Sequence, residues 1–245
     1  MNVTYKFFSS IALSAIAIFG HYNGSRAIPI ISLETSSVDW EFVPPNDGAP
    51  DDRGDAGSRT SCPSSDRSFQ ALIPATNIGL TLSEFPLFWL YLPYPVSSPH
   101  TVGFILRDET TKDEIYHTEF QIDRGEGIVS FRLPEDAPPL EKGRKYRWRF
   151  DFFCNDDTGD FVSDNGVILR TAIESEVPAS IADKIEVYAR NGIWHELLTE
   201  LIQLRCVNPE DPDIVAEWRK LLQHPVVRLE DFVSEPILER CGTDL

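Results

Sequence analysis

The residues that could do chemistry in this chain are few, and their spacing is uncommitted. Beyond position 27 there are four histidines, His100, His117, His195 and His224. None stands in a GxSxG or HExxH frame, and no two share helical metal-ligand spacing. His117 falls on the polar side of an alternating run, opposite Tyr116 and Phe120. His195 lies among acidic residues and reads as a surface or interhelix side chain. With 39 Asp and Glu, paired carboxylates are abundant enough to strip Glu114 or Glu119 of specificity as an acid–base pair. Asp156, Asp157, Asp160 and Asp164 crowd one loop with Asn155 and Asn165. Oxygen-rich loops bind calcium, but this spacing departs from the EF-hand order and lacks its closing Glu, so a solvated turn is the better reading. The chain reads as non-catalytic, with no metal and no cofactor.

Binding chemistry is concentrated in 81–94, TLSEFPLFWLYLPY. Phe88, Leu90 and Leu92 share one side of an extended chain, and Leu87, Trp89 and Tyr91 the other. A strand apolar on both faces must be covered on both. One cover is a sandwich core and the other a set of C-terminal helices. The alternative is an aromatic ledge of Phe85, Phe88, Trp89, Tyr91 and Tyr94 for a sugar ring, an apolar ligand or a partner protein.

Four cysteines, Cys62, Cys154, Cys206 and Cys241, allow three connectivities. Their positions along the chain favour Cys62–Cys154 and Cys206–Cys241, with a buried thiol at Cys154 as the alternative.

The elements that must position these residues follow from hydropathy periods. In 146–154, YRWRFDFFC, Tyr146, Trp148, Phe150, Phe152 and Cys154 take one face and Arg147, Arg149 and Asp151 the other, the pattern of a half-buried antiparallel strand. Further short strands are expected at 69–73, 81–93, 100–107, 114–122, 128–133, 161–162 and 167–169, with polar or glycine-rich turns between them. The expected fold is mainly β with an α extension: an antiparallel immunoglobulin-like β-sandwich over 68–171, followed by a helical region over 172–245. In that region Ile181, Ile185 and Tyr188 recur at helical spacing before Asn191-Gly192. A second stripe, Trp194, Leu197, Leu198, Leu201 and Leu204, ends at Asn208-Pro209, and Asp211-Pro212 opens a third helix carrying Ile214, Trp218, Leu221 and Leu222. The first two form a hairpin resembling a tetratricopeptide unit, although one unit is too few for a solenoid.

Residues 1–27 carry Lys6, the uncharged apolar run 7–20, and Ser25 and Ala27 at the −3 and −1 positions of a cleavage site, the architecture of a secretory signal peptide. The apolar run is shorter than the ~20 residues a membrane span needs, so no stable span is expected after cleavage. Loss of Lys6 and Arg26 takes the formal charge from −17 to −17 − 2 = −19. Such a field disfavours nucleic acid and anionic membrane surfaces as partners. Residues 28–67, rich in Pro, Gly, Asp and Ser, read as a flexible acidic arm.

Gly57-Ser58-Arg59 with Cys62-Pro63, LTLSEFPLFWLYLPY (80–94), GIVSFRLPEDAPPLEKGRKYRW (127–148) and NGIWHELLTELIQL (191–204) together resemble the cyanobacterial family called domain of unknown function 928. The resemblance runs from about Gly57 to near the C-terminus. It implies an exported cyanobacterial protein and carries over no catalytic residue. The expected role is a non-catalytic binding or adaptor protein of the periplasm or cell envelope, or a secreted one. Its protein partner would dock on the strand 85–94 or in the helical groove. The alternative is a carbohydrate-directed protein, either a glycan-binding module or a hydrolase using Asp and Glu.

Overall fold

The computed structural model describes residues 40–45, 62, 65, 67–94, 99–155 and 159–238. In chain order its strands are β1 (Gln70–Ala71), β2 (Ile78–Thr81), β3 (Leu87–Leu92), β4 (His100–Asp108), β5 (Glu114–Ile122), β6 (Gly127–Arg132), β7 (Lys145–Asn155) and β8 (Asp160–Arg170). The helices are α1 (Ile181–Arg190), α2 (Trp194–Val207) and α3 (Pro212–Leu222), followed by a 3-10 turn at Glu230–Phe232. Eight strands and three helices make the described chain mainly β.

The strands form two sheets, β1-β3-β6 and β2-β8-β7-β4-β5. β7 is the spine of the larger sheet, paired antiparallel with β4 on one side and β8 on the other. Its period-2 pattern holds: Tyr146, Trp148, Phe150 and Phe152 are buried, and meet Phe88, Leu90, Val129 and Phe131 of the smaller sheet in one core. The other face of the smaller sheet, with Leu87, Trp89 and Tyr91, packs in a second core with Ile185, Tyr188, Leu197, Leu201 and Trp218 of the helices. The molecule is therefore layered as large sheet, small sheet and helices, and β3 is the strand sandwiched between both cores.

Three features depart from the expected strands. Thr81–Pro93 is not one strand. β2 lies in the large sheet and β3 in the small one, and the chain crosses between them at Leu82–Pro86. β2 pairs parallel with β8, so the sandwich is mixed rather than purely antiparallel. The expected fragments 161–162 and 167–169 are one eleven-residue strand, β8, whose polar middle (Ser163, Asp164, Asn165) hid its period. The helices fall where the stripes put them, and Asp211 caps α3 by accepting from the N–H groups of Asp213 and Ile214. The tetratricopeptide likeness finds no support. A repeat hairpin buries its apolar face against the next repeat, whereas here that face is spent on a β-sheet.

The arm reading is corrected at its best-defined point. Trp40 and Phe42 are 2% and 1% exposed and belong to the helical core. The rest of 28–39 and 46–61 lies outside the described residues, as do 1–27 and Cys241. Cys62 and Cys154 form a disulfide with Cα atoms 5.4 Å apart, as their positions favoured. Cys206 is also disulfide-bonded. No helix among the described residues is long and apolar enough to cross a membrane.

Candidate functional site

The aromatic strand is not an open ledge. Phe88, Trp89 and Tyr91 are buried, and Phe85 and Tyr94 half-buried. The indole N–H of Trp89 donates to Thr199 Oγ1 of α2 at 3.0 Å, and Tyr91 donates to Glu126 Oε1 at 3.0 Å. Burial pushes the Tyr91 hydroxyl up to about 12. A ligand on Trp89 or Tyr91 would have to displace the helical layer. The five residues are not brought together either, because β3 points Phe88 into one core and Trp89 and Tyr91 into the other.

Two other places gather polar groups. The first is the seam where α2 crosses β2 and the start of β3, a pocket of about 220 Å³ lined by Ser83, Leu87, Arg132, His195, Glu196, Thr199 and Glu200. His195 is buried here against β2 and β3, rather than at the surface or between helices as its acidic neighbours suggested. It fits because Gly79 opposite has no side chain: a Cβ there would stand 2.6 Å from His195 Nε2. Nδ1 lies 3.0 Å from the Leu87 carbonyl, the contact of a neutral ring that donates there, while Nε2 is buried without a partner. Burial lowers the imidazole pKa to about 4.

Next to it, Glu196 Oε1 accepts from Thr81 Oγ1 (2.7 Å), Leu82 N (2.9 Å) and Ser83 N (3.2 Å). The Leu82 and Ser83 amides sit where the chain leaves β2 for the other sheet and has no ladder to use, so one carboxylate oxygen replaces the ladder there. Burial raises the Glu196 pKa despite these bonds. Glu196→Ala removes the acceptor of Thr81 Oγ1 and Leu82 N and leaves Ser83 N only its 3.1 Å bond to Thr81 Oγ1, and is expected to cost about 2 kcal/mol in denaturant unfolding. Glu196→Gln, which keeps an acceptor oxygen, should cost less than half of that. Equal losses would show that the bonds do not hold the crossover.

The second place is the outer face of the large sheet. Strand register sets His117, Ile105, Arg149 and Asn165 in one row and Glu119, Gly103, Asp151 and Ser163 in the next. Arg149 donates to Asp151 Oδ2 through Nε (3.1 Å) and Nη2 (2.8 Å), and Ser163 donates to the other oxygen of Asp151. Arg147 grips Glu109 through two bonds of 3.0 Å, and holds that carboxyl below its ordinary range. Ile105, Arg107, Arg147, Trp148, Arg149 and Asn165 line a groove of about 200 Å³. At the end of the face, the half-buried rings of Phe153 and Phe161 meet with centroids 5.6 Å apart.

The alternation in YRWRFDFFC had put Arg147, Arg149 and Asp151 on one face, but nothing marked that face as the open one. Of the crowded acidic loop, Asp156 and Asp157 lie outside the described residues. Asp164 is engaged in structure, accepting from Ala71 N at 2.7 Å along the edge of β1. No cluster of three or more His, Cys, Asp or Glu able to hold a metal occurs among the described residues.

Comparison with curated proteins finds no match. Among solved structures, CopC from Methylosinus trichosporium OB3b is similar at 14% identity and a TM-score of 0.30, over 44% of this chain and 99% of that one. Bacteroides uniformis beta-glucuronidase 2, covalently bound to cyclophellitol-6-carboxylate aziridine, is similar at 12% identity and a TM-score of 0.29, over 69% of this chain and 26% of that one. Likenesses this distant carry no functional argument. The model of the Domain of Unknown Function (DUF928) family matches residues 54–237, from before the disulfide at Cys62 to the strand-like end at Ile237 that pairs with β6, and the chain belongs to that family.

Proposed function

We propose that this protein is an exported, non-catalytic binding or adaptor module of a cyanobacterial envelope, built on an immunoglobulin-like sandwich, and that its partner docks on the outer face of the large sheet. The observation that carries this reading is the concentration of Arg107, Arg147, Arg149, Phe153 and Phe161 on the face of the large sheet turned away from the small one, which no helix or strand among the described residues covers. Arginine and aromatic side chains are the residue types enriched at protein interfaces. The helices cover the small sheet's outer face, and residues 40–45 occupy the helical groove, so in the intact chain neither surface is free. His195 and Glu196 are engaged in holding backbone, which favours binding over catalysis. Export is supported by the leader pattern and the disulfides.

The test is a photocrosslinker placed at Asn165, on the face, or at Glu186, on α1, in the full chain exposed to envelope extract. A defined protein adduct at Asn165, absent at Glu186 and at least tenfold weaker in Arg149→Ala, is the expected result. Adducts at both positions alike, or at neither, would overturn it. A second reading, binding of a neutral glycan, is favoured by the Phe153–Phe161 pair beside Arg149, Asp151 and Ser163, since sugars take aromatic faces together with planar polar groups. It predicts retardation in polysaccharide affinity gels that Phe161→Ala abolishes. Unchanged mobility in both proteins would remove it.

A further inference from the structure

Residues 40–45 meet the helical layer as a peptide meets a receptor. The chain alternates, with Trp40 and Phe42 buried and Glu41 and Val43 exposed, so an extended segment presents two large rings to one side. Phe42 stands edge-on to Trp194 of α2 with centroids 5.5 Å apart, and close to His224 at 6.1 Å. Lys220 Nζ of α3 lies over the Trp40 ring at 4.4 Å. The backbone is held too, with Val43 N–H donating to Ala189 O at the end of α1 (3.0 Å). Gly192, in the turn between α1 and α2, admits the segment: a Cβ there would stand 2.5 Å from the Val43 carbonyl. That residue also has φ +66°, the left-handed conformation that ends α1.

Two ring pockets, a backbone hydrogen bond and a glycine cleared for a carbonyl are the parts of a peptide-recognition groove. The contacts named lie on Ala189, Gly192, Trp194, Lys220 and His224. The groove's occupant is joined to the disulfide-bonded Cys62 through residues 46–61, whose sequence contains no aromatic and no Val, Ile, Leu or Met.

We propose that the helical layer is a recognition groove for an extended segment with large aromatic residues at alternate positions, and that residues 40–45 are its resident ligand, a latch held in cis. The groove remains competent when the latch leaves. Tethering supplies a high effective concentration, so the intact chain excludes a free peptide of the same sequence, and a chain with a disabled latch accepts it.

The experiment uses the full chain with Trp40→Ala and Phe42→Ala together, and a fluorescent peptide spanning residues 38–46. Anisotropy should show saturable one-to-one binding to the double variant and at least tenfold weaker binding to the unaltered chain. Gly192→Ala in the double variant should lower that affinity at least tenfold. A double variant that keeps its near-ultraviolet dichroism and yet fails to bind the peptide would overturn the proposal. Should the double variant not fold, a protease site placed within 46–61 of the unaltered chain decides the matter. After cutting, exchange of the N-terminal fragment for labelled peptide supports the latch. Unfolding on cutting, or retention of the fragment without exchange, shows that residues 40–45 are ordinary core.

Discussion

Replacing Cys62 and Cys154 together by alanine is expected to lower the unfolding free energy by about 4–5 kcal/mol. The bridge closes a loop with a sequence separation of 92. In the chain-entropy account a loop of that size restricts the unfolded ensemble strongly, and the stabilisation grows with the logarithm of loop length. The bridge also ties the segment entering β1 to the end of β7, the spine of the large sheet. Along that segment Ser65 Oγ donates to Pro93 O at 3.1 Å, Arg67 pairs with Glu235, and Phe69 stacks on Phe152. Urea unfolding of the double variant, with the Cys206 bridge left intact, measures the effect. A loss below about 1 kcal/mol would mean that the unfolded chain is already confined, so that the bridge has little entropy left to remove.

The second large effect is a pH dependence with its origin at His195. Its native pKa is about 4, and the unfolded chain protonates near the ordinary 6.5. Between those values the unfolded state holds a proton that the native state does not, so stability rises with pH across that window. The contribution is complete above about pH 6.5 and is lost as pH falls to 4, a total of about 3 kcal/mol. The physical cause is the seam. Protonation puts a charge on Nε2, which faces Gly79 and has no acceptor.

Glu196 acts in the opposite sense. Its native pKa is raised, so its contribution is present at low pH and declines as pH rises above its unfolded value near 4.5. The two groups, with Glu200 and Arg132 also lining the pocket, make the observed profile a difference. His195→Asn isolates the histidine: its amide can still donate to Leu87 O, and it does not titrate. Unfolding free energies at pH 4.5 and 6.5 should differ by less in this variant than in the unaltered chain, by about 2 kcal/mol. Identical pH profiles in the two proteins would show that His195 is not the titrating group.

The sequence by itself determined which faces are buried. The alternation of Tyr146 to Phe152 and the stripes at Trp194–Leu204 and Ile214–Leu222 are local patterns, and burial of one face of a strand or helix depends only on the residues within that element. The two-sided apolarity of Leu87–Leu92 likewise required two covers, and the structure supplies a sheet on one side and helices on the other. The pairing of Cys62 with Cys154 was legible as one of three connectivities, favoured by position along the chain alone.

What only the tertiary structure decided depends on residues far apart in the chain. β2 escaped notice because four residues carry no usable period, and its place beside β8 is set by a parallel pairing across nearly ninety residues. His195 read as a surface or interhelix side chain because its acidic neighbours are local, whereas the glycine that lets it in, Gly79, is remote. Trp40 and Phe42 stood in a stretch poor in apolar residues, and a segment's own composition says nothing about a groove assembled by helices 150 residues later. The outer face of the large sheet was legible as a polar face and not as the one left without a covering layer among the described residues. Which polar face stays uncovered is settled by how the layers stack, and stacking is a property of the whole chain.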